Sequence, residues 1–258
     1  EIIEEPKKIE KIDITSRALI ELERRLNYFS YPVSLFTAET INVLDNSTIL
    51  GKAKFGELKL ADNIVALRLG NNQGTAYVTA DTLDGAGIVF LDPAWSIVGN
   101  DINKATQLAV KDISTLKTTV VVGQASVLTL GSDQPLTQEE FNATQQRFAA
   151  DGISAIVRVL NPVTLGEYTP AGASPIGASL VVDGSLEDSF ETGVMTENLN
   201  NFLNSKSAGF IYGDRGVYFG ANSMLMVDGN AIKGTTATAA INGINDGAKV
   251  DATSKLYI

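Results

Sequence analysis

Cysteine and histidine are both absent from this chain of 258 residues. No disulfide can brace it, and no thiolate can serve as nucleophile or metal ligand. Without imidazole there is no Ser-His-Asp triad and no His-ligated zinc, copper or haem. Tryptophan occurs once, at Trp95, and proline only seven times. No apolar run approaches the roughly 18 residues that a helical membrane span requires, and no secretory leader pattern opens the sequence. The first residue is Glu rather than Met, which reads as a processed or trimmed start. What remains is a chain with 44% hydrophobic residues, enough to bury a sizeable core.

Positive charge is also scarce. Thirty acids stand against 20 bases, a net charge of −10, which argues against sequence-specific nucleic-acid binding because phosphate neutralisation needs clustered Lys and Arg. The imbalance lies on the body. The first 26 residues are dense in charge and almost neutral: Glu1, Glu4, Glu5, Glu10, Asp13, Glu21 and Glu23 against Lys7, Lys8, Lys11, Arg17, Arg24 and Arg25.

Within that segment, Leu19, Leu22, Leu26 and Phe29 recur at 3-4-3 spacing, which predicts an amphipathic helix over Asp13–Phe29. With Arg24 and Arg25 on its flank, it reads as an assembly arm at residues 1–30. From residue 31 to 258 the pattern is β-rich. Strands are expected over Ala53–Leu60, Asn63–Leu69, Thr75–Ala80, Gly87–Leu91, Thr118–Gly123, Ala125–Leu130 and Ile153–Leu160, among others. Asn71–Gly74 and Gly213–Gly216 carry residues that tolerate positive φ and so predict hairpins. Further helices are expected over Ile102–Ile113, from Gln138 to about Ala150 after the Thr137/Glu140 capping box, and over Thr196–Lys206. Together these give an α+β fold with about four helices and many short, mostly antiparallel strands. The Pro/Gly-rich loop near 165–177 is the candidate division of the body.

Chemistry-bearing patterns are few. Gly229–Thr236 has the glycine spacing of a phosphate loop, but Thr235 stands where its lysine must be. Gly85-Ala-Gly87 lacks a third glycine and reads as a turn. Ser114 and Lys117 match S-x-x-K, the one covalent mechanism that needs no histidine. Its companion motifs do not fit: Ser132-Asp133-Gln134 ends in Gln, and Lys233-Gly234-Thr235 is in the wrong order. Between residues 159 and 205 there is no Lys or Arg, while Glu167, Asp183, Glu187, Asp188, Glu191 and Glu197 supply oxygen ligands suited to Ca²⁺ or to a carboxylate-pair hydrolase. No spacing selects a pair; a solvated acidic face is the preferred reading, and a surface that contacts a basic partner segment is the main alternative. No catalytic residue and no cofactor is assigned.

A charge-poor, β-rich body behind a charge-dense arm resembles, in compositional style, the structural proteins of tailed-bacteriophage virions: capsid-shell or cement proteins and tail-tube subunits. The resemblance implies a non-enzymatic protein of the virion that assembles with copies of itself in a lattice or ring, beside other virion proteins and away from membranes. Two other classes fit the same residues. One is an extracellular or cell-surface β-rich binding module, with or without Ca²⁺. The other is a hydrolase using carboxylates or Ser114 and Lys117.

Overall fold

The computed structural model describes residues 9–15, 18–21, 36–61, 65–71, 74–92, 101–148, 155–161, 163–165, 180–186, 199, 201–202, 205, 217–220, 222–227, 232–234, 248–250 and 255–257. Every strand pairing among them is parallel, apart from an isolated bridge between Asn71 and Gly74. The chain winds as a coil, and each turn lays its strands on those of the turn before.

Sheet A stacks β1 (Ile9–Ile14), β3 (Phe36–Val43), β4 (Ser47–Leu60), β6 (Ala76–Asp84), β8 (Thr106–Val110), β11 (Ser126–Leu130), β12 (Ala155–Val159), β16 (Ser223–Val227) and β19 (Lys255–Tyr257). Sheet B stacks β2 (Ala18–Glu21), the first residues of β4, β5 (Ala66–Leu69), β7 (Ile88–Leu91), β10 (Thr119–Val122), β14 (Leu180–Val182), β15 (Val217–Phe219) and β18 (Ala248–Val250). A short third side holds β9 (Thr115–Leu116), β13 (Val163–Leu165) and β17 (Ile232–Gly234). The strand β4 belongs to both large sheets, so the wall is nearly closed and barrel-like around its interior.

Stacking decides which residues face inward. Leu69, Leu91, Val122, Val182 and Phe219 occupy successive turns of sheet B and are all buried in the central core. Leu108, Leu128 and Val157 do the same in sheet A. The outward residues of several strands are buried as well, because two excursions of the chain cover the sheets. The first is α1 (Gln138–Phe148), which lies between β11 and β12; with Phe141 it covers Val127, Ile156 and Met224. The second lies between β14 and β15, where Leu186 and Leu199 cover Phe90, Val121, Val181 and Tyr218.

This architecture corrects the expected α+β fold. Among the described residues there is one α-helix of assigned length, α1, and the strands are parallel rather than antiparallel. The expected helix Asp13–Phe29 is replaced, where it is described, by β1 and β2, which pair with β3 and β4. A parallel neighbour supplies backbone partners at every turn, and that outweighs a 3-4-3 pattern only four residues deep. The expected helix Ile102–Ile113 is a single 3-10 turn, Ile102–Lys104, followed by β8. All five residues of β8 are buried, so its pattern is continuous rather than alternating and resembles a buried helix. The Asn71–Gly74 turn exists, but its flanking strands enter different sheets and make no hairpin. The Gly213–Gly216 hairpin tip lies outside the described residues. Of Thr196–Lys206, residues 199, 201, 202 and 205 are helical. The expected division near 165–177 lies between β13 and β14, almost wholly outside the described residues.

Where sheet B ends, the backbone ladder continues one residue further. The N–H groups of Gly70, Asp92, Gly123, Asp183 and Gly220 each donate to the preceding turn, at 2.7–3.1 Å. The column alternates glycine and aspartate for steric reasons. A Cβ on Gly70, whose φ is +80°, would lie 2.0 Å from the Asp92 carbonyl oxygen, and one on Gly220 would lie 2.1 Å from Asp183 Oδ2.

A cleft where the roof of sheet A begins

The outward column Lys52, Tyr77, Gln107, Val127, Ile156, Met224 runs along sheet A through six successive turns. Its chemistry changes midway. The last three residues are apolar and buried beneath α1, whereas Lys52 is exposed and Tyr77 half-buried. A cleft of about 500 Å³ lies at the changeover. Gly51, Lys52, Thr75, Tyr77 and Gln107 form its sheet side. Ile102, Asn103 and Ala105 form one wall, and Leu136, Thr137 and Gln138 the other.

The walls are fixed by side chains that replace backbone pairing. Gln107, buried at 3% exposure, donates from Nε2 to the Leu136 carbonyl (3.1 Å) and accepts the Leu136 N–H at Oε1 (2.9 Å). It holds the chain in place just before α1. Gln138 Oε1 accepts the Ile102 N–H at 2.8 Å, tying the helix start to the 3-10 turn. The capping box forms as its sequence predicts. Glu140 Oε2 accepts from the Thr137 N–H (2.9 Å), and the Glu140 N–H donates to Thr137 Oγ1 (3.2 Å). The Thr137 N–H also holds the Glu140 carboxyl below its usual range. Arg158 secures the far side of α1: its guanidinium donates to Thr129 Oγ1 and the Gln134 carbonyl and lies 3.6 Å from Glu140.

Lys52 supplies the positive charge of the cleft, and none of the lining residues is a carboxylate. Its Nζ stands 5.8 Å from the centroid of the Tyr77 ring. Burial pushes the Tyr77 hydroxyl's pKa up, so it stays a neutral donor and acceptor.

A second constellation lies in sheet B. Arg68 and Asp92 are buried, and Arg68 donates from both Nε (2.7 Å) and Nη2 to Asp92 Oδ2. The guanidinium also stands 5.9 Å from the Phe90 ring centroid. Asp92 Oδ1 has no hydrogen-bond partner among the described residues. Burial raises the Asp92 carboxyl to about 7, while Arg68 pulls the other way. The pair bridges adjacent turns of sheet B.

The residues singled out in the sequence fare differently. Ser114 and Lys117 are exposed on the approach to β9 and its exit, and Lys117 reaches Asp84 at 3.9 Å. Ser114 opens no helix. Asp183 is fully buried. Its Oδ1 accepts from the N–H and the hydroxyl of Ser185, which fixes the turn, and its Oδ2 accepts from the Tyr218 hydroxyl of the neighbouring strand β15 at 3.3 Å. Glu167, Glu187, Asp188, Glu191 and Glu197 lie outside the described residues, and among the described residues no three acidic side chains cluster as a metal site. Of the arm, Leu19 sits in β2 opposite Thr48, while Leu22, Arg24, Arg25, Leu26 and Phe29 lie outside the described residues. Lys52, Tyr77 and Gln107 carry no motif. Only the stacking of three turns brings them together. Comparison with protein families, curated proteins and solved structures finds no match for this chain.

Proposed function

We propose that the chain is a non-enzymatic binding module of an extracellular or surface protein: a rigid parallel coil that presents a cleft on one face. The observation that carries this reading is the changeover in the sheet A column. Its roofed half is apolar and spent on packing; its open half offers polar groups beside a preformed concavity. Ligand sites are typically concave, largely preformed and furnished with a few oriented polar groups. The non-enzymatic part rests on how the described polar groups are used. Asp183 serves a turn, Arg68 and Asp92 neutralise one another, and Ser114 has no helix to raise its reactivity. A place in a self-assembling virion rests on composition, and its concrete device, a helical arm, is replaced where described by strands of the coil.

The test is a panel of immobilised oligosaccharides and peptides probed with labelled protein, followed by mass spectrometry of the recovered ligand. Saturable binding with ligand mass unchanged is expected. A cleaved or modified ligand would overturn the non-enzymatic reading, and binding to nothing in either class would overturn the binding module.

A further inference from the structure

We propose that the cleft binds a carboxylated sugar unit of a polysaccharide, with the sugar against Tyr77 and its carboxylate at Lys52. This deepens the binding reading and rests on it.

The charge argument comes first. Three other lysines of this sheet face reach carboxylates: Lys11 to Asp13 at 3.1 Å, Lys54 to Asp133 at 3.8 Å, Lys59 to Asp84 at 3.7 Å. Lys52 has no carboxylate within 4 Å among the described residues and lies over an aromatic ring instead. In a chain with a net charge of −10, an ammonium left at the mouth of a cleft whose lining holds no acid is poised for an anionic group on a ligand.

One cation limits the ligand's charge density. Nucleic acid or a run of phosphates would need several Lys or Arg, whereas a single carboxylate per unit matches a single ammonium. The remaining lining groups are neutral: Thr75 and Tyr77 carry hydroxyls, while the side chains of Asn103, Thr137 and Gln138 make polar walls at the rim that also bond within the protein. A peptide anchor would instead seek a dry apolar pocket. A ring bearing many hydroxyls fits such a rim, and its C–H face packs on an aromatic side chain. The size agrees, since ligand pockets span about 300–1,000 Å³ and this cleft measures about 500 Å³. Its walls need no rearrangement, because Gln107 and Gln138 already hold them.

The experiment prints uronate- and sialate-containing oligosaccharides beside their neutral parent sugars, and follows the best binder by calorimetry at two salt concentrations. Acidic sugars are expected to bind at least about ten-fold more tightly than their neutral parents, and less tightly at higher salt. Lys52→Gln should remove that preference with the melting temperature unchanged, since Lys52 is exposed. Tyr77→Ala should weaken acidic and neutral sugars together, and Tyr77→Phe should keep most of the affinity. An acidic preference that survives Lys52→Gln, or sugar binding untouched by both Lys52→Gln and Tyr77→Ala, overturns the assignment to this cleft. Binding of peptides but of no sugar overturns the sugar proposal and leaves the binding module standing. Binding of neither class removes both.

Discussion

A buried carboxylate facing one guanidinium is neutralised either by that partner or by a proton, and Asp92 has both routes. Burial lifts its folded-state pKa to about 7, against an ordinary value of 3.8. The folded protein therefore binds this proton more tightly than the unfolded chain does. The stability from this group is complete below about pH 4 and is lost as pH rises through about 7. We expect the melting temperature of the wild type, relative to Asp92→Asn, to fall between pH 4 and pH 7 and then level off. A flat difference across that window would contradict the burial argument. Arg68→Met removes the group that pulls the Asp92 pKa down, so its cost by urea denaturation should grow as pH rises above about 7, where the folded mutant must keep the buried carboxyl protonated. Adding Asp92→Leu should recover part of that loss. Gly70 is a third sensitive position. Gly70→Ala sets a Cβ against the Asp92 carbonyl at positive φ and should cost at least about 1 kcal/mol, read from the same denaturation curves.

Among the elements, α1 is the piece most visible in the sequence and the least tied to the coil. Its start is written locally, in Thr137 and Glu140, so no knowledge of the fold is needed to find it. Its docking is not local: Phe141 inserts over Val127, Ile156 and Met224 from three different turns. Phe141→Ala should cost about 3–5 kcal/mol by thermal or urea unfolding, with far-UV circular dichroism still dominated by strand. It should also loosen Leu136 and so weaken any ligand held in the cleft. Strand β8 shows the opposite case. Its sequence, TQLAV, is buried on both faces, and only its parallel neighbours Tyr77–Ala80 and Ser126–Leu130 make it a strand rather than a helix. Tyr77 and Gln107 are ordinary residues in the sequence and become a site through that same pairing.

At the level of the whole molecule, the coil is hidden in the sequence because its repeat is uneven. Leu67, Val89, Val120, Leu180 and Val217 are equivalent positions of sheet B, yet the intervals between them vary widely because excursions of different length separate the turns. Short β segments and turn residues are legible; their parallel partners are not, since most pairings skip at least one intervening strand and the skipped lengths vary. Nearest-neighbour stacking also sets the order of opening. Amides of β10 and β11, buried on both faces and flanked by strands, should exchange more slowly than those of α1 by at least about ten-fold, measured by hydrogen exchange with mass spectrometry. Equal protection would mean that the roof and the coil open as one unit.

The alternating column at the end of sheet B constrains how a coil like this can change length. Neighbouring turns lie about 4.8 Å apart. Remove the single turn that carries Gly123, and Asp92 and Asp183 become adjacent, two buried acids at a distance where both cannot stay ionised. Remove two turns together, and each aspartate still meets a glycine. Insertions and deletions along this edge therefore have a parity: the coil can grow or shrink in pairs of turns far more easily than one at a time.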